Sequence, residues 1–284
     1  MQTLSDLPAL RAAVAALKAD GKPLALVPTM GALHDGHMAL VEEAKRHGRH
    51  VVVSIFVNPK QFGPAEDLDA YPRREAKDAA MLAAAGVDLL WLPSVEVMYP
   101  TGFATNVSVS GVSEGLDGAA RPGHFDGVAT VVLKLFNQVR PDVAIFGEKD
   151  YQQLAVIRQA NSDLDIGIDI IGLPTQRAED GLALSSRNAY LSDAERTAAL
   201  ALPRALGEAK RLMEKGESVE SATAKAMIIL ENSGFGPIDY VALCDAATLA
   251  PMTVLDRPAR LLGAAKLGTT RLIDNIAVEP KWDF

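Results

Sequence analysis

Five apolar runs constrain this chain most: Leu24 to Val27, Val51 to Val57, Val87 to Leu92, Val143 to Phe146 and Ile166 to Leu173. Several are continuous rather than alternating, the pattern of strands covered on both faces. Segments with helical spacing separate them: Met38 to His47, Arg74 to Ala85, Val128 to Val139 and Tyr151 to Ala160. That alternation predicts an α/β fold, a Rossmann-like doubly wound parallel sheet with helices on both faces. Phe103 to Ser110, where Val107 and Val109 alternate with polar residues, reads as an edge or excursion strand. Leu4, Leu7, Leu10, Val14 and Leu17 have helical spacing and lack the layout of a secretion signal.

After Pro174 the texture changes. Ser192-Asp193-Ala194-Glu195 forms a capping box ahead of an Ala/Leu-rich helix that Pro203 is expected to kink or divide. Ser218 to Asn232 offers another helix, and Ile238 to Leu243, Ala259 to Ala264 and Thr270 to Val278 read as strands of an antiparallel layer. The expected division is a Rossmann-like domain over 1–175 and a smaller C-terminal α+β lid domain over 176–284. No internal repeat is evident.

A chain of 284 residues, 49% of them hydrophobic, can bury a large core, yet no apolar stretch reaches the length of a membrane span. The expected compartment is the cytoplasm, with no membrane partner. A net charge of −8 argues against a broad nucleic-acid footprint, because phosphate backbones are held by clustered Lys and Arg. Cys244, the only cysteine, cannot form an internal disulfide and reads as a core residue.

Chemistry concentrates where strands end. Pro28-Thr29-Met30-Gly31-Ala32-Leu33-His34-Asp35-Gly36-His37 follows the first run and opens a helix, whose first-turn N–H groups lack internal partners and favour an anion. Two imidazoles three residues apart can face one way there and add charge-assisted donors to phosphate. The alternative is two polar residues at a helix start. Phe56-Val57-Asn58-Pro59-Lys60-Gln61-Phe62 leaves the second strand, where Asn58 and Gln61 can bind a small polar substrate or Asn58 can simply cap a turn. In Arg121-Pro122-Gly123-His124-Phe125-Asp126, Asp126 fits an N-cap, and Arg121 with His124 faces either an anion or solvent. Gly147-Glu148-Lys149-Asp150-Tyr151-Gln152-Gln153 contains an Asp-x-x-Gln capping box and a lysine within reach of phosphate oxygens. Ser185, Ser186 and Arg187, just past the domain boundary, can close over outer phosphates. Glu66, Asp67, Asp69 and Asp78 are either Mg²⁺ ligands or surface charges. Zinc-ligand spacing, a P-loop lysine motif and the Gly-x-Gly-x-x-Gly fingerprint are missing, which disfavours zinc hydrolases, Walker ATPases and simple dehydrogenases.

PTMGALHDGH, SIFVNPKQF, RPGHFDGV, FGEKDYQQL, DGLALSSRN and LGTTRLIDN, in this order, closely resemble the pantoate–beta-alanine ligases, also called pantothenate synthetases, of the nucleotidylyltransferase superfamily with its His-x-Gly-His signature. The likeness covers almost the whole chain. It implies that ATP and pantoate form pantoyl adenylate and pyrophosphate, and that beta-alanine then displaces AMP to give pantothenate. Joining a carboxylate to AMP creates a leaving group without an enzyme nucleophile, which suits a chain with no clear Ser–His or Cys–His arrangement.

By position, the resemblance implies that His34, His37 and Lys149 stabilise adenylation and that Ser185, Ser186 and Arg187 clamp the outer phosphates. It implies that Gln61 and Gln153 hold pantoate, with Met30 and Phe56 near its gem-dimethyl group, and that Gly147 and Asp150 hold the ribose. Asn58 and His124 complete the pocket, Asp78 matches a position associated with Mg²⁺, and a homodimer is implied. Two positions depart from the family's pattern: Lys60 stands where relatives often carry an apolar residue, and Lys77 where some carry a second acid. Competing readings are a nucleotidylyltransferase that keeps AMP in its product and a nucleotide sensor without catalysis.

Overall fold

A computed structural model describes residues 1–64 and 66–280. Six parallel strands form the first sheet: β1 (Gln2–Leu4), β2 (Leu24–Thr29), β3 (His50–Ile55), β4 (Leu89–Trp91), β5 (Val143–Gly147) and β6 (Asp169–Leu173), in the order β1-β4-β3-β2-β5-β6. Alternation along β2 explains the continuous apolar run. Leu24 and Leu26 face a core shared with helices α1 (Leu7–Leu17), α6 (His124–Val139) and α7 (Tyr151–Asp163). Ala25 and Val27 face a second core against α2 (Asp35–His47) and α3 (Glu75–Ala84). Both side-chain sets of each central strand are therefore buried, as a doubly wound sheet requires. From β2 the chain moves to β3 on one side and later to β5 on the other. The crevice outside the carboxyl ends of β2 and β5 is the topological switch point where such sheets bind ligands.

Two four-residue helices, α4 (Val95–Met98) and α5 (Asp117–Ala120), punctuate the chain between β4 and α6. Beyond β6, helices α8 (Asp193–Ala198), α9 (Ala201–Met213) and α10 (Val219–Asn232) pack on an antiparallel sheet of β7 (Phe235–Asp245), β8 (Ala259–Leu267) and β9 (Thr270–Val278) around their own apolar core. Ser192 and Glu195 cap α8 reciprocally, as the motif predicts. The break falls at Ala199–Leu200, ahead of Pro203, which sits in the first turn of α9 where a missing N–H costs nothing.

Several sequence expectations shift. Phe103 to Ser110 is not a strand. Val109 is buried in the core with the expected alternation, but Val107 N–H donates to Thr130 Oγ1 (2.9 Å), and Asn106 and Ser108 donate to Asp126. Side chains satisfy this segment in place of a ladder. Helix α6 starts at His124 rather than Val128, so Asp126 lies within its first turn and Gly123, at φ 81°, occupies the cap. The edge strand β1 has no period of its own and exists through pairing with β4. Cys244 is buried among Leu249 and Leu262, and burial pushes its thiol up to about 11.

Candidate active site

The turn after β2 is built for display. Gly31 sits at φ 83°, a left-handed conformation that glycine adopts without strain, and lets the chain double back over Ile55. Its geometry is fixed from beneath by Asp78 on α3, only 1% exposed, whose two carboxylate oxygens accept the N–H groups of Ala32 (2.8 Å) and Leu33 (3.0 Å). His34 then caps α2. Gly36 N–H donates to His34 Nδ1 (3.1 Å) and His34 N–H donates to His37 Nδ1 (3.3 Å), a capping box made of two imidazoles. Each Nδ1 accepts a backbone proton, so in the neutral ring the hydrogen sits on Nε2. Burial, with Lys149 nearby, lowers the pKa of His34, and burial with His34 and Lys149 lowers that of His37 to about 3. The pair is therefore neutral near pH 7. The charge assistance expected of these donors comes from an anionic acceptor such as phosphate and not from imidazolium.

Opposite lies the wall formed by the loop after β3 and the start of α6. Asn58, 1% exposed, does not reach the cleft. Its Nδ2 donates to Gln61 Oε1 and to Gly127 O (both 3.0 Å), and its Oδ1 accepts from Tyr99 Oη (2.7 Å), so it anchors Gln61 from behind. Gly127 allows this wall to close, since a Cβ there would collide with the Lys60 carbonyl. Gln61 faces the cleft with Nε2 against Met30 Sδ (3.3 Å). Arg121 Nη1 can only donate, so His124 Nε2 accepts (3.0 Å) and Nδ1–H donates to Gln61 O (2.8 Å). Burial and the Arg121 charge lower the pKa of His124 to about 4. Phe56 and Met30 supply apolar surface, while Lys60 projects its ammonium over the rings of Tyr99 and Phe103 (5.4 and 5.3 Å) at the outer rim.

Where β5 ends, Gly147, Lys149, Asp150 and Gln153 line the same cleft. Gln152 points the other way, donating to Val112 O and Gly115 O. The expected Asp150–Gln153 capping box is not formed, because Asp150 makes no side-chain cap bond, and both polar groups stay available to the cleft. Ser185, Ser186 and Arg187 close the far side. Ser186 Oγ donates to Ala32 O (3.3 Å), which ties this segment to the histidine turn. Arg187 stacks 5.8 Å from the Tyr71 ring centre and forms a bidentate pair with Asp67 (2.9 and 3.0 Å). Glu66 pairs with Arg121 in the same way.

Most of the expected site residues thus converge on one cleft, with an inner volume of about 220 Å³ opening into an outer region of about 990 Å³. The outer region alone lies at the upper end of the roughly 300 to 1,000 Å³ of an ordinary small-molecule site, and with the inner part it leaves room for a nucleotide beside a small acid. Asn58 and Asp78 do not line it, and of the other acidic candidates Glu66 and Asp67 do while Asp69 does not. Asp78 has both oxygens committed to backbone donors, so it does not fit as a direct Mg²⁺ ligand. Lys77 is exposed. Among the described residues no group of three or more His, Cys, Asp or Glu side chains could hold a metal ion. Sequence reasoning missed Tyr71 and Thr175, both on the cleft wall. Thr175 Oγ1 is buried without a partner among the described residues, and neither residue belongs to a recognisable motif.

Known proteins match this architecture throughout. The family model described as pantoate-beta-alanine ligase matches residues 2–277. The chain is 66% identical over 280 residues to the pantothenate synthetase of Rhizorhabdus wittichii, covering 99% of each chain. It is similar to the crystal structure of the pantothenate synthetase of Thermus thermophilus, with TM-score 0.93 and 48% identity over 99% of this chain and 100% of that one. The pantoate-beta-alanine ligase of Francisella tularensis, solved with beta-gamma ATP and beta-alanine, superposes with TM-score 0.83 and 34% identity over 97% of both chains.

Proposed function

The chain belongs to the pantoate–beta-alanine ligase family, and we propose that the cleft at the switch point carries out that family's ATP-dependent ligation through a pantoyl adenylate. One observation carries the reading. Both imidazoles at the carboxyl end of β2 have Nδ1 occupied by a backbone N–H, which leaves two Nε2–H donors on cleft-lining side chains beside Lys149.

In the first step a pantoate carboxylate oxygen attacks the α-phosphorus of ATP, and the bond to the β-phosphate oxygen breaks to release pyrophosphate. His34 and His37 donate to phosphate oxygens as charge builds on them, and Lys149 adds a positive charge at the same place. Donors fixed before the reaction need no reorganisation during it. Ser185, Ser186 and Arg187 hold the outer phosphates, with Arg187 exchanging Asp67 for phosphate. Gln61 and Gln153 hold pantoate, whose gem-dimethyl group packs against Met30 and Phe56, and Gly147 and Asp150 receive the ribose. Asn58 and His124 act through Gln61, one fixing its side chain and the other its carbonyl. In the second step the neutral amine of beta-alanine attacks the acyl carbon, the acyl–oxygen bond to AMP breaks, and the proton lost from nitrogen passes to the departing phosphate or to water. Acid–base chemistry of an enzyme nucleophile is not needed.

Mg²⁺ is assigned to the phosphate oxygens of ATP and to water rather than to Asp78, and no step depends on a protein ligand for it. Residues 176–284 act as a separate lid domain that closes over residues 1–175 to keep water from the adenylate. A homodimer and a cytoplasmic location are part of the proposal. No helix among the described residues is long and apolar enough to cross a membrane.

Product analysis tests the reaction. With ATP, Mg²⁺ and pantoate alone, pyrophosphate should appear in about the amount of enzyme present, and adding beta-alanine should produce AMP and amide continuously. A stable adenylylated acid as the final product would instead indicate a nucleotidylyltransferase, and bound ATP with no pyrophosphate a sensor.

A further inference from the structure

The C-terminal run Leu267 to Asn275 ends on a residue that reaches across to the first sheet. Asn275 on β9 is 2% exposed, and its Nδ2 donates to the carbonyl oxygens of both Glu148 (2.9 Å) and Lys149 (2.8 Å). Those carbonyls have left the parallel ladder, whose last pair is Gly147 with Leu173, and lie in the turn before α7. The amide orientation is assigned by its neighbours, because Arg260 Nε donates to Asn275 Oδ1. Arg260 also donates to Glu148 Oε2 (3.2 Å) and stacks 4.3 Å from the centre of the Tyr151 ring. From the other side, Arg177 holds the neighbouring Asp274 with two hydrogen bonds (2.8 and 2.9 Å), and Asp274 Oδ1 accepts the N–H of Asn275.

The geometry of this bracket is specific. The Glu148 carbonyl belongs to the peptide plane before the Lys149 Cα, and the Lys149 carbonyl to the plane after it. One side-chain amide therefore pins both planes flanking that Cα, which fixes φ and ψ together and with them the direction of the Cα–Cβ bond. We propose that Asn275 is a positioning residue for adenylation: seated on the C-terminal sheet, it sets the direction in which Lys149 enters the cleft. The inference rests on the reading of Lys149 as a phosphate-stabilising group. It makes placement of that lysine depend on the seating of β9 against the turn, so the second sheet takes part in catalysis without touching substrate.

Single-turnover pyrophosphate release from saturating ATP and pantoate tests this in the full-length protein, with Lys149→Ala, Asn275→Ala and their combination. Asn275→Ala should slow release by about tenfold to a hundredfold, the scale of a small misplacement of a catalytic group. The apparent ATP affinity should change far less. In the Lys149→Ala background the same substitution should add no more than about a twofold loss, since both changes remove one effect. Asn275→Ser, which keeps one donor, should recover part of the rate and covers the case in which the alanine variant folds poorly. A parental rate for Asn275→Ala, or an equal loss with and without Lys149, overturns the proposal; the second result marks a merely structural role. A parental rate for Lys149→Ala overturns the reading of the lysine itself, and the two failures are thereby distinguished.

Discussion

Asp78→Asn separates scaffold from metal ligand in one substitution. In the parent, both carboxylate oxygens accept backbone N–H groups from the turn that presents His34 and His37, and the side chain is buried. A hydrogen bond to a charged group contributes about 1.5 to 3 kcal/mol, and the asparagine keeps one acceptor while placing an NH₂ against the other donor. The expected loss is about 2 to 4 kcal/mol, which for a chain of this size lowers the melting midpoint by roughly 3 to 7 °C. With Ala32 and Leu33 no longer held together, the imidazole pair loses its fixed height above β3. Adenylation should fall by about tenfold or more in single-turnover pyrophosphate release, and excess Mg²⁺ should not restore it. The assay runs the melt and the kinetics on the same preparation across a Mg²⁺ series. An unchanged midpoint together with full rescue by high Mg²⁺ would show that Asp78 serves the metal and that the scaffold argument is wrong.

Replacing His34 or His37 by alanine should slow adenylation by about two to three powers of ten, the effect of removing one preorganised donor, and equal pre-steady-state rates would count against that role. Gln61→Ala should raise the KM for pantoate while leaving ATP binding nearly intact in titration calorimetry; selective loss of ATP binding would contradict the assignment. Asp67→Asn frees Arg187 from its partly exposed partner and should tighten ATP binding, by no more than about fivefold given the modest energy of such pairs, so weaker binding would refute the exchange. The lowered pKa values of His37 and His124, about 3 and about 4, set a pH dependence. The unfolded state binds these protons first, so stability from the neutral rings is complete above about pH 6.5 and is lost as pH falls toward 4, at about 1.4 kcal/mol per unit for each ring. Melting midpoints that stay level between pH 7 and 4.5 would contradict this.

The parallel sheet was legible because each central strand buries both faces, which leaves uninterrupted apolar runs such as Leu24 to Val27. Residues in motifs at strand ends were legible for a related reason: the carboxyl edge of an open sheet gathers them whatever their distance along the chain. His34 and Lys149 lie in different motifs yet line one cleft. What escaped was held by contacts from afar. Gln2 to Leu4 becomes a strand only through β4, and Val107 looks like a strand residue although its N–H is taken by Thr130. Tyr71 and Thr175 reach the cleft without a motif, and the link from Asn275 to Lys149 spans 126 positions. Motif position and the family resemblance placed Asn58 and Asp78 beside ligands, whereas in the fold both are buried behind the cleft, Asn58 bonded to Gln61 and Asp78 to the glycine turn, which position along the chain does not reveal. The protonation of the histidines was equally hidden, since it follows from burial and from which nitrogen the backbone occupies.

The most direct measurement is a crystal structure of this chain with pantoate and a non-hydrolysable ATP analogue. Nε2 of His34 and of His37 should each lie about 3 Å from a phosphate oxygen, with the pantoate carboxylate beside Gln61 and in line with the α-phosphorus. A triphosphate bound away from the carboxyl end of β2, or one contacted by Nδ1 of either ring, would contradict the mechanism.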